Sequence, residues 1–318
     1  MKQTKSHKKK ISVSEIANLL DVKPSLVKQF NKNSNFFLWS EYKIPSLLEQ
    51  RKIVKEARQQ IKISFSKSNK SALPRWEKGW NEILDSVKNN GIKDDLLIPQ
   101  YFQKHKYVRY GSKYIQPKSK DFEHQLNNII RKIIFKKFLS GASRIIDFGC
   151  GTGTSILTLI ELFPKLTLIG CDWSKAAVEL INLIGIKKKR DVRGMKFDMF
   201  HTKGKKKINL CSADGIITMH SMEQLGTNFE PFLNFIVEQK PRICVHLEPI
   251  FELYDHTNSF DKIAIDYHLK RNYLRGFLTK LKKLQKEGIV KILEERRLLI
   301  GNFFHDHSSL VVWRPIKM

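Results

Sequence analysis

The chain has 318 residues, 41% hydrophobic and 28% charged, which fits one large or two modest globular domains and excludes a disordered polar chain. Lys and Arg total 58 against 31 Asp and Glu, so the formal charge is +27, which excludes an acidic surface and makes a polyanion one candidate partner. The excess is uneven: residues 1–140 carry 30 basic and 12 acidic side chains, and the remainder carries 28 and 19.

Residues 1–10 read as a solvated basic tail. Ser12, Ser14, Glu15 and Asn18 interrupt the apolar residues behind it, so no signal peptide is expected. No apolar run approaches the roughly 18 residues of a membrane span. The expected location is the cytoplasm, with no membrane partner. Residues 11–30 predict two short helices, the first capped by Ser14 and the second opened by Pro24. The pair resembles a helix-turn-helix, read either as a DNA-binding unit or as ordinary helix packing. Residues 45–64 predict a basic helix and 64–71 a polar loop. Trp76, Trp80, Ile83, Leu84 and Val87 share one helical face, which reads as a core stripe. Residues 101–120 mix aromatic and basic side chains and read as a linker or a loop closing over a ligand. Residues 1–118 are therefore expected to form a basic, mainly helical cap or substrate region.

From residue 119 the rhythm changes. A helix over 121–139 is followed by alternating apolar strands and amphipathic helices. A long helix is expected over 260–286, then two strands joined by GNFFHDH. Such alternation predicts a doubly wound, mostly parallel α/β sheet with an antiparallel edge. Phe304, His305, Asp306 and His307 read as a surface loop. Cys150, Cys171, Cys211 and Cys244 form no C-x-x-C pair, and each lies in or beside an apolar run, so buried free thiols are expected.

The informative segment runs over 145–174. Gly149, Gly151 and Gly153 follow an apolar strand and open a helix, which lets the backbone turn tightly and approach a nucleotide-type ligand. Asp147 stands just ahead of them. Asp172 closes the next strand, 19 residues after Gly153, where a carboxylate can accept from both ribose hydroxyls. The spacing is G-x-G-x-G, not the G-x-G-x-x-G of dinucleotide oxidoreductases.

With these residues the sequence resembles the class I S-adenosylmethionine-dependent methyltransferases over about 119–318. The resemblance implies a Rossmann-like, seven-stranded sheet, S-adenosyl-L-methionine as cofactor, and a methyltransferase domain over 119–318. It implies that Gly149, Gly151 and Gly153 wrap the methionine part, that Asp172 holds the ribose and that Trp173 lies near the adenine. Asp147 matches the family's acidic residue, and Asp198 with Met199 matches the place of an acidic group on the adenine amino nitrogen.

Methyl transfer needs alignment, and a base when the nucleophile is a hydroxyl or an ammonium. The segment TMHSMEQL after the fourth strand is similar to one that reads Leu-Glu-His-Leu in many small-molecule methyltransferases. Gln224 stands where those enzymes often have His, so His220 is the substitute base. His246 and Glu248 share a strand face. They could pair as base and orienting carboxylate, or hold a divalent cation with Asp255, as in sugar O-methyltransferases; no metal site is assigned. Arg271 and Tyr273 are further candidates to reach a substrate. No Asp/Asn-Pro-Pro-Tyr/Phe segment or Pro-Cys nucleophile is present, which argues against DNA-base methylation, and no Cys/His zinc cluster or recognisable RNA-binding appendage is seen. The expected partner is a small-molecule acceptor, a sugar or other metabolite, attacked through O or N. RNA or protein is the alternative, and a regulatory DNA-binding protein comes third.

Overall fold

The structure is a computed structural model that describes residues 8–31, 39–63, 65–98, 105–204 and 208–316. It opens with strand β1 (Lys8–Lys10) and helices α1 (Val13–Leu20) and α2 (Pro24–Asn31). Ser12, rather than Ser14, caps α1: its hydroxyl accepts from the Glu15 N–H at 3.0 Å, while Glu15 Oε2 accepts from the Ser12 N–H at 2.7 Å. Ile16, Ala17, Leu20 and Val27 are buried in the main core. The helical pair is thus a packing unit built on its own apolar face.

Strand β2 (Glu41–Lys43) precedes α3 (Leu47–Lys62), which Ser46 and Glu49 start with a second capping box. Helix α4 (Leu73–Asn90) carries the tryptophan stripe. Then come β3 (Val108–Tyr110) and β4 (Lys113–Pro117), an antiparallel hairpin turned at Gly111 and Ser112. The expected linker over 101–120 is therefore sheet structure from Val108; residues 101–104 lie outside the described residues.

The remainder alternates: α5 (Phe122–Leu139), β5 (Arg144–Phe148), α6 (Thr154–Leu162), β6 (Thr167–Asp172), α7 (Lys175–Lys188), β7 (Val192–Lys196), β8 (Asp214–Met219), α8 (Glu230–Gln239) and β9 (Ile243–Glu248). Next are α9 (Asp261–Arg271), α10 (Phe277–Lys286), β10 (Val290–Gly301) and β11 (Ser308–Pro315). The long helix expected over 260–286 is broken in two, because Asn272 ends α9 at φ 54° and Gly276 begins α10 at φ 89°.

The sheet order is β1-β2-β4-β3-β10-β11-β9-β8-β5-β6-β7. Strands β7, β6, β5, β8 and β9 are parallel, and β11 and β10 close them antiparallel. That set is the sheet the sequence predicts. Among the described residues the full sheet has eleven strands, not seven, because Gly301 and Ile300 of β10 pair with Arg109 and Tyr110 of β3, which leads on to β4, β2 and β1. An open edge exposes unpaired N–H and C=O groups, and the N-terminal strands cover this one. Within the described part of residues 1–118 these four short strands accompany the helices α1–α4.

One apolar layer joins α5, α6 and α7 to α1, α2 and α4, and the opposite layer holds α8 and α10. Chain order reverses at β5, which has β6 on one side and β8 on the other. A crevice at such a reversal, outside the carboxyl ends of the strands, is where ligands bind in open α/β sheets. Cys150, Cys171 and Cys244 are buried as expected, but Cys211 is exposed. Among the described residues no helix is long and apolar enough to cross a membrane.

Candidate active site

Gly149, Gly151 and Gly153 all have positive φ, at 78°, 48° and 83°. At Gly149 a Cβ would stand 2.2 Å from the Ser221 Cβ, so only glycine lets the loop pass beneath the turn after β8. Gly151 lies under the Trp80 indole, where a Cβ would come within 3.2 Å. Its N–H donates to Asp172 Oδ2 at 3.0 Å, and the Ser174 N–H donates to Asp172 Oδ1 at 2.9 Å. The carboxylate at the end of β6 is thereby aimed back at the loop. Ser174 Oγ caps α7, accepting from the Ala177 N–H at 3.2 Å.

Two small cavities meet at this loop. One, of about 70 Å³, is lined by Gly149, Gly151, Asp172, Trp173, Met199 and His220, together with Phe197, Phe200, Ser221 and Gln224. The other, of about 80 Å³, reaches Asp147, Arg131 and Asn127. Trp76 and Trp80 line both and stack on one another at 5.2 Å. The stripe that reads as ordinary core is the roof of the crevice. Its helix is fastened there by Glu77, whose carboxylate accepts from the Lys175 and Ala176 N–H groups at 2.9 and 3.2 Å. On the far wall Trp173 stacks on Phe200 at 5.5 Å.

Burial governs the electrostatics. Asp147 is buried at the end of β5 and pushed up to about 8, by desolvation first and by Asp172 second. Among the described residues its Oδ2 has no hydrogen-bond partner. Burial raises Asp172 to about 6 against the opposing pull of the Ser174 and Gly151 N–H donors. This donor set fits S-adenosyl-L-methionine. A glycine cradle admits close backbone approach, Asp172 can accept from a ribose diol, and the buried Asp147 carboxyl, with its Oδ2 unbonded among the described residues, can ionise beside a cation.

His220, at φ 54°, lines both cavities, and its Nε2 lies 2.9 Å from Ser308 Oγ. Burial, with His307 and Arg131 nearby, holds its pKa well below the usual histidine value, so the ring is neutral. Glu248 lies outside the cavity lining. Its Oε1 accepts from the Ser221 and Met222 N–H groups at 3.0 and 3.1 Å and from the Ser221 hydroxyl at 3.3 Å. It thus fixes the turn that presents Ser221 and Gln224. Burial raises it to about 7, and Glu223 beside it to about 8.

His246 does lie on the same strand face as Glu248, but it is closed off from the crevice. Its Nε2 accepts from the Trp313 indole N–H at 2.8 Å, and its Nδ1 lies 2.8 Å from Thr218 Oγ1. Burial lowers it to about 3. With both nitrogens engaged it cannot reach a ligand in this geometry. Asp198 is also outside the lining: its oxygens hold the Phe200 N–H at 2.8 Å and His201 Nδ1 at 2.7 Å, while its neighbour Met199 does line the cavity. Gly153 starts α6 and faces Ile181 and Ile184 rather than the cavity. Asp255 is exposed and bonded to Thr257, and among the described residues no three metal-ligating side chains converge. Arg271 bonds Ser66 and Tyr273.

The loop read as surface is interior: His305, Asp306 and His307 are buried. Asp306 bonds Arg109 of β3 and Arg297 of β10, each at 2.7 Å, and both arginines also hold Asp261 of α9. The side chains whose roles sequence missed, Trp76 with Trp80 and His307 with Ser308, form two pairs that lie far apart in the chain. A run of four aromatic and ionisable residues before the last strand was the available signal.

No family model matches the chain. It is 25% identical over 194 residues to a curated carboxy-S-adenosyl-L-methionine synthase of Campylobacter curvus, covering 57% of this chain and 77% of that one. It is also similar to the 16S rRNA methylase ArmA, at 16% identity and TM-score 0.43 over 74% of this chain and 98% of that one. A third likeness is to geranyl diphosphate C-methyltransferase from Streptomyces coelicolor, at 12% identity and TM-score 0.44 over 74% of this chain and 97% of that one. The chain thus combines a parallel sheet with an antiparallel closing pair, a glycine loop between Asp147 and Asp172 at the switch point, and similarity to a curated carboxy-S-adenosyl-L-methionine synthase.

Proposed function

We propose that the chain methylates an oxygen or nitrogen of a small-molecule acceptor, a sugar or other polyhydroxylated metabolite. Residues 1–118 serve as the cap and 119–318 as the cofactor-binding domain. The observation that carries this reading is the roof and lining of the crevice. The crevice is roofed by Trp76 and Trp80, and its described lining holds one arginine, Arg131, and no lysine. A phosphodiester strand would need a cationic track at that place.

When bound, S-adenosyl-L-methionine supplies an electrophilic methyl group. Asp172 would hold the ribose diol, Asp147 would offset positive charge, and Trp173 with Phe200 would form the adenine wall. Neutral His220 would take the acceptor's proton, and Glu248 would hold the turn that presents Ser221 and Gln224. The test is methyl-label transfer from S-adenosyl-L-methionine into fractionated cell extract. Label in the low-molecular-weight fraction supports the reading, and label confined to macromolecules overturns it.

A second reading, an RNA acceptor, has one observation in its favour. A groove of about 930 Å³, separate from the crevice lining, carries Lys9, Arg51, Lys55, Arg58, Lys62 and Lys113 and no carboxylate among its described lining residues. Four of these cations lie on α3 at helical spacing. Label in the RNA fraction, with RNA affinity falling steeply with salt, would favour this reading.

A further inference from the structure

We propose that a relay, His220–Ser308–His307–Glu123, carries the acceptor's proton from the roofed crevice to the protein surface. The proposal rests on the methyl-transfer reading above. The observation is a line of ionisable and hydroxyl groups, within hydrogen-bond distance from His220 to His307 and at ion-pair distance from His307 to Glu123. His220 lines the crevice, and its Nε2 lies 2.9 Å from Ser308 Oγ. Ser308 Oγ lies 2.8 Å from His307 Nδ1. His307 Nε2 faces the Glu123 carboxylate at 3.6 Å and the Asn127 amide nitrogen at 3.3 Å. Glu123, at the start of α5, lines a separate pocket of about 120 Å³ whose rim carries Lys106, Lys118 and Lys120. The line therefore has one end in the crevice and the other at a water-accessible mouth.

A base set among charged neighbours beneath the tryptophan roof is served by such a path. Deprotonating a hydroxyl or an ammonium leaves one proton per turnover, and a neutral histidine walled by Arg131, His305 and His307 is a poor place to keep it. Nε2 of His220 already faces Ser308, so Nδ1 is left for the acceptor. The transfers balance as follows. The acceptor's proton goes to His220 Nδ1, and the Nε2 proton passes to Ser308 Oγ. The serine hydroxyl proton passes to His307 Nδ1, and the His307 Nε2 proton passes to the Glu123 carboxylate. No electrons change hands, and Glu123 releases the proton to water. Asn127 gives the relay its second setting. Its Nδ2 donates to Glu123 O at 2.9 Å and can also donate to a bare His307 Nε2. The amide therefore favours the ring with Nε2 unprotonated, while Glu123 favours the ring with Nε2 protonated.

The test does not depend on knowing the acceptor. Imidazole nitrogen signals of His220 are recorded by NMR in the full chain with ¹⁵N-labelled histidine. Glu123→Gln should shift the His220 ring signals, and the shift should vanish when Ser308→Ala cuts the line. His307→Gln provides a second cut if the serine variant does not fold. An unchanged His220 spectrum in Glu123→Gln overturns the relay. Once a label screen has supplied an acceptor, Glu123→Gln should lower turnover by at least about tenfold with unchanged S-adenosyl-L-methionine affinity. Full turnover overturns the relay equally. Wild-type chain that transfers no methyl label overturns the functional reading instead, and the NMR result tells the two failures apart.

Discussion

Trp80 lies over Gly151 so closely that a Cβ on the glycine would stand 3.2 Å from the indole. The roof of the glycine loop thus comes from a helix well ahead of that loop in sequence. The cavities on either side hold about 70 and 80 Å³, whereas ligand pockets run to about 300–1,000 Å³. Trp76 and Trp80 must turn aside to admit a nucleoside. Tryptophan emission should change as S-adenosyl-L-methionine is titrated in, and a Trp76→Phe/Trp80→Phe variant should lose most of that change. Equal responses in variant and wild type would remove the roof from the account.

Cofactor affinity should depend on pH. Burial sets Asp172 at about 6, and its charged form is the better acceptor for ribose hydroxyls. Affinity should therefore rise between pH 5 and about 7 and then level off, and Asp172→Asn should flatten the profile. Asp147, at about 8, is largely protonated at pH 7, and a cation beside it favours the charged form, so binding releases a proton. The calorimetric enthalpy at pH 7 should then vary with buffer ionisation enthalpy, and Asp147→Asn should remove that dependence.

Stability should rest heavily on the cluster under the last hairpin. Arg109 and Arg297 hold Asp261 and Asp306 with little solvent exposure. Removing Arg109 leaves two buried carboxylates with one cation, a loss of about 3–5 kcal/mol. Arg109→Met should lower the thermal midpoint accordingly. Burial alone would raise Asp306, but Arg109 and Arg297 hold it below the usual carboxylate value. Its contribution is therefore present above about pH 4 and is lost as pH falls through the depressed folded-state value.

The catalytic assignments separate by their effects. His220→Ala should cut methyl transfer by about 10²–10⁴-fold while S-adenosyl-L-methionine affinity stays near the wild-type value. His246→Ala should act through stability, since that ring sits between Thr218 and Trp313. Full turnover in the His220 variant would place the base elsewhere.

Local signals carried much of this molecule. The glycine loop and Asp172 were legible because a tight turn, a positive φ and a strand-end carboxylate are local demands on the chain. Helix breaks at Asn272 and Gly276 were written in the sequence too, but the apolar spacing ran through them. What sequence could not show was distance in space. Trp76 and Trp80 have the spacing of any core stripe, and only the packing of α4 against α7 decides what they cover. His246 and Glu248 share a strand face as expected, yet Trp313 from another strand closes one off while the turn after β8 engages the other. The four N-terminal strands were missed because short basic edge strands carry little apolar alternation.

The central claim is that Asp172 and the glycine loop form an S-adenosyl-L-methionine site, and titration calorimetry of the full chain tests it most directly. Wild type should bind the cofactor saturably, and Asp172→Ala, checked for folding by circular dichroism, should bind it far more weakly. Equal affinity in the two proteins, or no binding by wild type, would contradict the account.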